Sequence, residues 1–167
     1  MQVFRVSPDH DISARYLDNR RLSKQVLELY QILRVTLSLI GVLDTNTRYR
    51  HHPIVKHIYN EGRPYITDTY RLLDACDREH QRRGGKRSPA FREDLDGLKR
   101  LIEHHAGDGL WHDGPLPPYY VYGDVRIEGD AAYLAYIELL NAKWLADTIA
   151  PRCGVNRKNI QDMKSES

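Results

Sequence analysis

Between positions 19 and 40 apolar residues return at spacings of three and four: Leu22, Val26, Leu29, Leu33, Leu37 and Ile40. On a helix of about 3.6 residues per turn this spacing draws one stripe, so the segment is predicted to be a long helix with one buried face. Gly41 ends it, as glycine commonly does. Residues 1–8 read as a short extended start, and Asp9 as the N-cap of a first helix through about Leu17. Pro53 suits the first turn of a short helix, and Pro64 that of a longer one to about Arg83, broken by Gly84-Gly85. Ser88-Pro89 reads as N-cap and first helical residue ahead of Phe91, Leu95, Leu98 and Ile102. Asp130 is predicted to cap a last helix carrying Tyr133, Ile137, Leu140 and Trp144.

The pattern as a whole predicts an all-α fold. It is a compact single-domain bundle of five or six helices over residues 1–150, followed by a polar, flexible tail over 151–167. Between the last two helices, Gly107 to Gly129 reads as a long loop rich in Gly, Pro, Trp and Tyr, a length that suggests function or docking.

At 167 residues, 41% hydrophobic and 29% charged, the chain has the balance of an ordinary globular domain. Its two cysteines, Cys76 and Cys153, have no metal-ligand spacing and no disulfide pattern; Cys76, among Leu72, Leu73 and Ala75, reads as a small core residue. The first residues lack the apolar stretch of a secretory signal and no segment approaches a membrane span, so a reducing cytoplasm, bacterial or that of a phage-infected host, is expected.

A net charge of +2 does not mark a nucleic-acid binder, but the distribution of charge changes the picture. Residues 1–60 hold nine Lys/Arg (Arg5, Arg15, Arg20, Arg21, Lys24, Arg34, Arg48, Arg50, Lys56) against five acids (Asp9, Asp11, Asp18, Glu28, Asp44). A second run, Arg78 to Arg87, holds five cations and one Glu. Clusters of this kind pair with phosphates or form solvated helix faces.

Within the long helix Arg20, Lys24, Glu28 and Gln31 fall inside an arc of roughly 80°, opposite the leucine stripe, with Arg21 and Gln25 flanking it. Two cations, a carboxylate and an amide in a row suit a DNA-facing surface, with Glu28 as general base or electrostatic stabiliser. The same residues also suit an exposed face tied by pairs such as Lys24 with Glu28. Arg48, Tyr49, Arg50, His51 and His52 crowd together before Pro53. Adjacent histidines point different ways and no acid or cysteine stands at metal spacing, so base stacking, phosphate binding or helix capping is expected there, with no metal and no cofactor. Tyr119, Tyr120 and Tyr122, beside Gly123, suit stacking on bases or filling the gap left by an extruded nucleotide, and equally suit a lid on the core.

Taken together, Ser13-Ala14, Leu17-Asp18, Arg20-Arg21-Leu22, Lys24-Gln25, Glu28 and Gln31-Ile32-Leu33 resemble the opening of the pyrimidine-dimer DNA glycosylase family, of phage type. Arg50-His51-His52-Pro53 resembles that family's W-x-x-H-P element. Tyr70 to Leu73, Arg78-Glu79 and Gly85-Lys86 resemble its later helix, and Tyr122-Gly123-Asp124 with Tyr133-x-x-Tyr136 its closing region, so that the resemblance runs over about residues 1–145 and is strongest in the first 55.

The resemblance implies a helical enzyme that flips a nucleotide out of duplex DNA, attacks the sugar C1′ with an amine and cuts the strand through a Schiff base. The implied nucleophile is the amine of Met1 or Gln2, aided by a Glu early in the long helix. As a class α-amines titrate near about 8, against about 10.4 for lysine, so far more is unprotonated at neutral pH. The family's Glu–Leu pair falls at Arg21-Leu22 in this reading; Glu28 is then the acid that stands in, and Lys24 a second source of an amine. DNA is the implied partner, with contacts from Arg20, Arg21, Gln31, Arg50, His51, His52 and the three tyrosines; no membrane or obligate protein partner is expected. Two other functions fit the same residues: a transferase that modifies DNA bases, for instance by moving an amino acid onto an activated 5-substituted pyrimidine, and a non-catalytic DNA-binding module.

Overall fold

A computed structural model describes residues 1–148. Its helices are α1 (His10–Arg15), α2 (Asn19–Leu39), α3 (Pro53–Tyr59), α4 (Ile66–Arg82), α5 (Pro89–His105) and α6 (Ala131–Ala146). Among the described residues, six α-helices, a 3-10 turn at Asn60–Gly62 and one small hairpin give an all-α fold. The expected tail over 151–167, with Cys153, lies outside the described residues.

α2 is the spine. Leu22, Val26, Leu29, Leu33 and Leu37 are all fully buried, and α2 packs most extensively on α4, where Leu72 and Ile66 are also fully buried. Ile58 of α3 and Tyr136 and Leu140 of α6 complete the core around it. Cys76 is buried on α4, and burial pushes its thiol up to about 12, which makes it an inert core residue.

The local signals act where the sequence places them. The Asp9 carboxylate accepts from the amides of Asp11 and Ile12 at the start of α1. The Ser88 hydroxyl accepts from Phe91 N at the start of α5, and Gly41 after α2 and Gly84 after α4 both take positive φ. Three expectations change. Pro64 stands two residues before α4 rather than inside its first turn, its carbonyl accepting from His112 N. Asp130 begins α6 but makes no side-chain cap, because its own backbone is already helical.

The third change matters most. The loop between α5 and α6 contains an antiparallel hairpin, β1 (Tyr119–Tyr122) and β2 (Val125–Glu128). Tyr-Val-Tyr and Val-Arg-Ile flank a two-residue Gly-Asp turn, and Gly123 supplies the positive φ of 53° that such a turn requires. The tyrosines therefore sit on alternate faces of a strand instead of in an irregular loop.

Candidate active site

Residues 1–6 run as an extended strap along one shoulder of α2, where Gln25 and Glu28 hydrogen-bond its backbone. Gln25, fully buried, accepts from Phe4 N through Oε1 (2.8 Å) and donates through Nε2 to Gln2 O (2.8 Å). One turn on, Glu28 Oε2 accepts from Gln2 N at 3.0 Å, and Oε1 lies 4.0 Å from the Met1 amine. Lys24 Nζ stands 3.7 Å from the same Oε1, with its side chain 72% exposed.

The polar arc predicted on α2 is thereby divided. Arg20, Lys24 and Gln31 face solvent, as expected of that face. Glu28 lies at the edge of the arc nearest Gln25, and the strap covers that edge, leaving it 9% exposed. The carboxylate is thus held at the head of the chain and partly shielded from water, where its electrostatic effect is stronger than on an open helix face.

Gln2, Phe4, Arg20, Arg21, Lys24, Glu28 and Lys143 line a cleft of about 270 Å³ at this point. Arg21 does not serve it as a free cation. Its guanidinium donates to Asp18 Oδ1 (3.1 Å) and to both Asp147 oxygens (2.8 and 3.0 Å), which ties the start of α2 to the end of α6. Those bonds raise the Arg21 pKa and lower that of Asp147. Asp18 also caps α2 and accepts from Trp144 Nε1 (2.9 Å). The position that the family pattern assigns to Arg21-Leu22 is therefore a structural joint, and the carboxylate at the amine is Glu28.

Of the histidine pair, His52 caps α3, its Nδ1 accepting from Ile54 N at 3.2 Å. Its pKa is lowered by burial first, then by the charges of the Met1 amine and of Arg126. His51 and Arg50 are exposed, the Arg50 Nε donating to His51 Nε2 (3.2 Å).

The tyrosines also part company. Tyr120 is buried against Tyr136, with ring centres 4.7 Å apart, and so belongs to the core. Tyr119 stacks on His57 at 4.6 Å. Tyr122 is exposed, with the Lys143 ammonium 5.1 Å from its ring centre.

The second basic run is largely structural. Arg83 is buried and donates to the carbonyls of Leu17 and Arg15, Arg87 to Ser23, and Arg82 to Glu79. A larger groove of about 640 Å³ between α1 and α4 is walled by Arg78 and Arg82, already paired with Asp11, Asp74 and Glu79. In the cleft at Glu28 the exposed Arg20 and Lys24, a shielded carboxylate and an amine meet.

Sequence reasoning gave Gln25 only a flanking place and passed over Lys143 and Arg126. Gln25 stands three residues before Glu28, the spacing that puts both on one shoulder, and that signal was available. Arg126 and Lys143 stand 98 and 115 positions beyond Glu28 in the chain, and no local pattern marks them.

The family model for pyrimidine dimer DNA glycosylase matches residues 1–93. Those residues carry the strap, α2, α3 and α4, and so hold Met1, Gln2, Lys24, Gln25, Glu28 and His52. The resemblance expected from 94 onward, including Tyr122-Gly123-Asp124, lies outside the matched stretch. No curated protein and no solved structure matches the chain. With more than half its length matched, the chain belongs to the pyrimidine dimer DNA glycosylase family.

Proposed function

We propose that the protein is a DNA glycosylase with abasic-site lyase activity. It takes a damaged pyrimidine, flipped from duplex DNA, into the cleft at Glu28. The observation that carries this reading is the meeting of the head-of-chain amine with the shielded Glu28 carboxylate, 4.0 Å apart, inside the family-matched segment.

In this reading the unprotonated amine attacks C1′ of the flipped nucleotide. The bond from C1′ to the base breaks, and its electron pair leaves with the base, which takes up a proton. Glu28 accepts a proton from the attacking nitrogen and stabilises the positive charge that develops at C1′. The C1′–O4′ bond then breaks, the second amine proton passing to O4′, and the opened sugar is held as the imine. Removal of a C2′ proton then expels the 3′ phosphate by β-elimination, and water hydrolyses the imine to free the amine. If Met1 is removed, the nitrogen of Gln2 becomes the α-amine, and that nitrogen stands 3.0 Å from Oε2. Either chain head therefore suits the step. Lys24, exposed and ion-paired, is the less favoured amine because nothing removes it from water.

The exposed cations Arg20, Lys24, Arg50 and the neighbouring His51 are assigned to phosphate, with Gln31 further along the same face. Extrusion of the nucleotide is required because C1′ and its base are otherwise enclosed in the stack.

The test is Glu28→Gln, which keeps an acceptor for Gln2 N and so leaves the strap in place. Turnover on a cyclobutane-dimer duplex should be lost while DNA affinity stays close to that of the parent protein. Undiminished turnover in that variant would remove Glu28 from the mechanism.

A further inference from the structure

The hairpin over 119–128 is a stiff projection mounted on two helices; directly behind its Gly123-Asp124 turn, Tyr122 and Val125 form an exposed apolar pair. At its base, Tyr119 stacks on His57 of α3, whose Nε2 lies 2.9 Å from Pro117 O. The Tyr136 hydroxyl of α6 accepts from Val121 N (3.2 Å) and donates to Tyr119 O (3.1 Å). At the turn, Arg126 Nη1 folds back to donate to Gly123 O (2.6 Å) and Val125 O (2.8 Å). Beyond these braces Tyr122 and Val125, paired across the strands, are 42% and 52% exposed.

This apolar pair borders the cleft. The Lys143 ammonium lies over the Tyr122 ring and lines the cleft together with Glu28 and Gln2. An exposed apolar pair flanked by Lys143 and by Arg126, the next residue on β2, suits a partner with an anionic rim and an apolar interior. A duplex offers that combination, phosphates outside and stacked bases within.

Resting on the proposed function, we infer that Tyr122 and Val125 form a wedge that enters the base stack of duplex DNA and occupies the space left by the nucleotide drawn into the cleft. Lys143 and Arg126 seat the wedge on the phosphates at either side. The flat ring of Tyr122 supplies a stacking surface that any base accepts, and the short stiff ribbon resists being pushed back by the closing stack. The wedge lies beyond residue 93, outside the segment matched by the family model, so it adds a duplex-opening element to the matched catalytic segment.

The test uses the full chain with a duplex carrying 2-aminopurine beside an abasic site, whose fluorescence rises when it loses its stacking neighbours. The parent protein and Tyr122→Phe should raise the signal on binding. The double variant Tyr122→Ala/Val125→Ala, altered only at exposed positions, should bind the duplex yet lose most of that rise. Its rate of borohydride trapping should fall about tenfold on duplex and stay unchanged on the single strand, where no stack has to be opened. A rise equal to that of the parent, or an equal loss on both substrates, would overturn the wedge. Trapping by the parent protein with no change in 2-aminopurine signal would overturn the wedge and leave the glycosylase reading standing. A signal rise that depends on Tyr122 and Val125 without any trapping would do the reverse.

Discussion

Replacing Gln25 by Ala strikes the site without touching any group assigned to chemistry. The amide of Gln25 is fully buried and makes two bonds to the strap, to Phe4 N and to Gln2 O, each 2.8 Å. Alanine removes both partners and leaves a buried donor and a partly buried acceptor unsatisfied, at about 1–3 kcal/mol each, so about 2–6 kcal/mol in all. With about 4 kcal/mol as the centre of that range, Tm should fall by about 8–16 °C for a chain of this size, if the strap stays down.

The strap has a second course, which is to lift. What then holds it is the Gln2–Glu28 bond, the buried Val3 and Phe4 side chains and the Arg5 bond to Leu116 O, and giving these up locally costs less than global unfolding. Hydrogen exchange separates the two. The Phe4 amide should lose protection far more than the buried core amides of α2, and borohydride trapping should drop together with it, because the amine no longer stays near Glu28. Full protection at Phe4 with parental trapping would refute the claim that Gln25 holds the strap and, through it, the amine.

Two further outcomes follow from the charges. Arg20→Ala and Lys24→Ala should each weaken DNA binding and make the plot of log affinity against log salt shallower by about one unit; an unchanged slope would take those cations off the phosphates. Stability should fall as pH drops from about 7 to about 5, because His52, His57 and His80 are all held below the ordinary imidazole value, with burial the first cause in each. The unfolded chain then binds more protons than the folded one, so unfolding gains as pH falls through the unfolded value. Asp68 and Glu79 add a second loss at lower pH. Burial pushes both carboxyls up, but bonds from His10 and Leu116 N to Asp68, and from Arg82 and Arg83 to Glu79, outweigh it. A urea midpoint that stays level between about pH 7 and 5 would contradict the histidine part of this account.

The helices were legible because their signals are local. The leucine stripe of α2, Asp9, Ser88-Pro89, Gly41 and Gly84 each act through neighbours a few residues away. The hairpin was legible in principle, since Gly-Asp between two alternating segments is a turn signal, but the density of Pro, Gly and aromatic residues around it suggested a loop. The candidate site was half visible. Periodicity grouped Arg20, Lys24, Glu28 and Gln31 on one side of α2, and the resemblance supplied an amine. What periodicity cannot supply is what lies on top of a helix face. The strap covers only the Glu28 and Gln25 edge of the arc, and Asp147 reaches Arg21 from 126 positions away, so one polar row resolves into a buried carboxylate, a structural joint and three exposed side chains.

The central claim is that an amine at the head of the chain, held beside Glu28, attacks C1′ of a nucleotide in DNA. Borohydride trapping on duplexes holding an abasic site or a cyclobutane dimer, followed by peptide mapping, tests it most directly. The account predicts a covalent adduct on Met1, or on Gln2 where Met1 has been removed. An adduct on Lys24 would move the nucleophile from the head of the chain to α2. No adduct on either substrate, from protein that still binds DNA, would contradict the amine mechanism and leave base modification or binding alone as the function of the cleft.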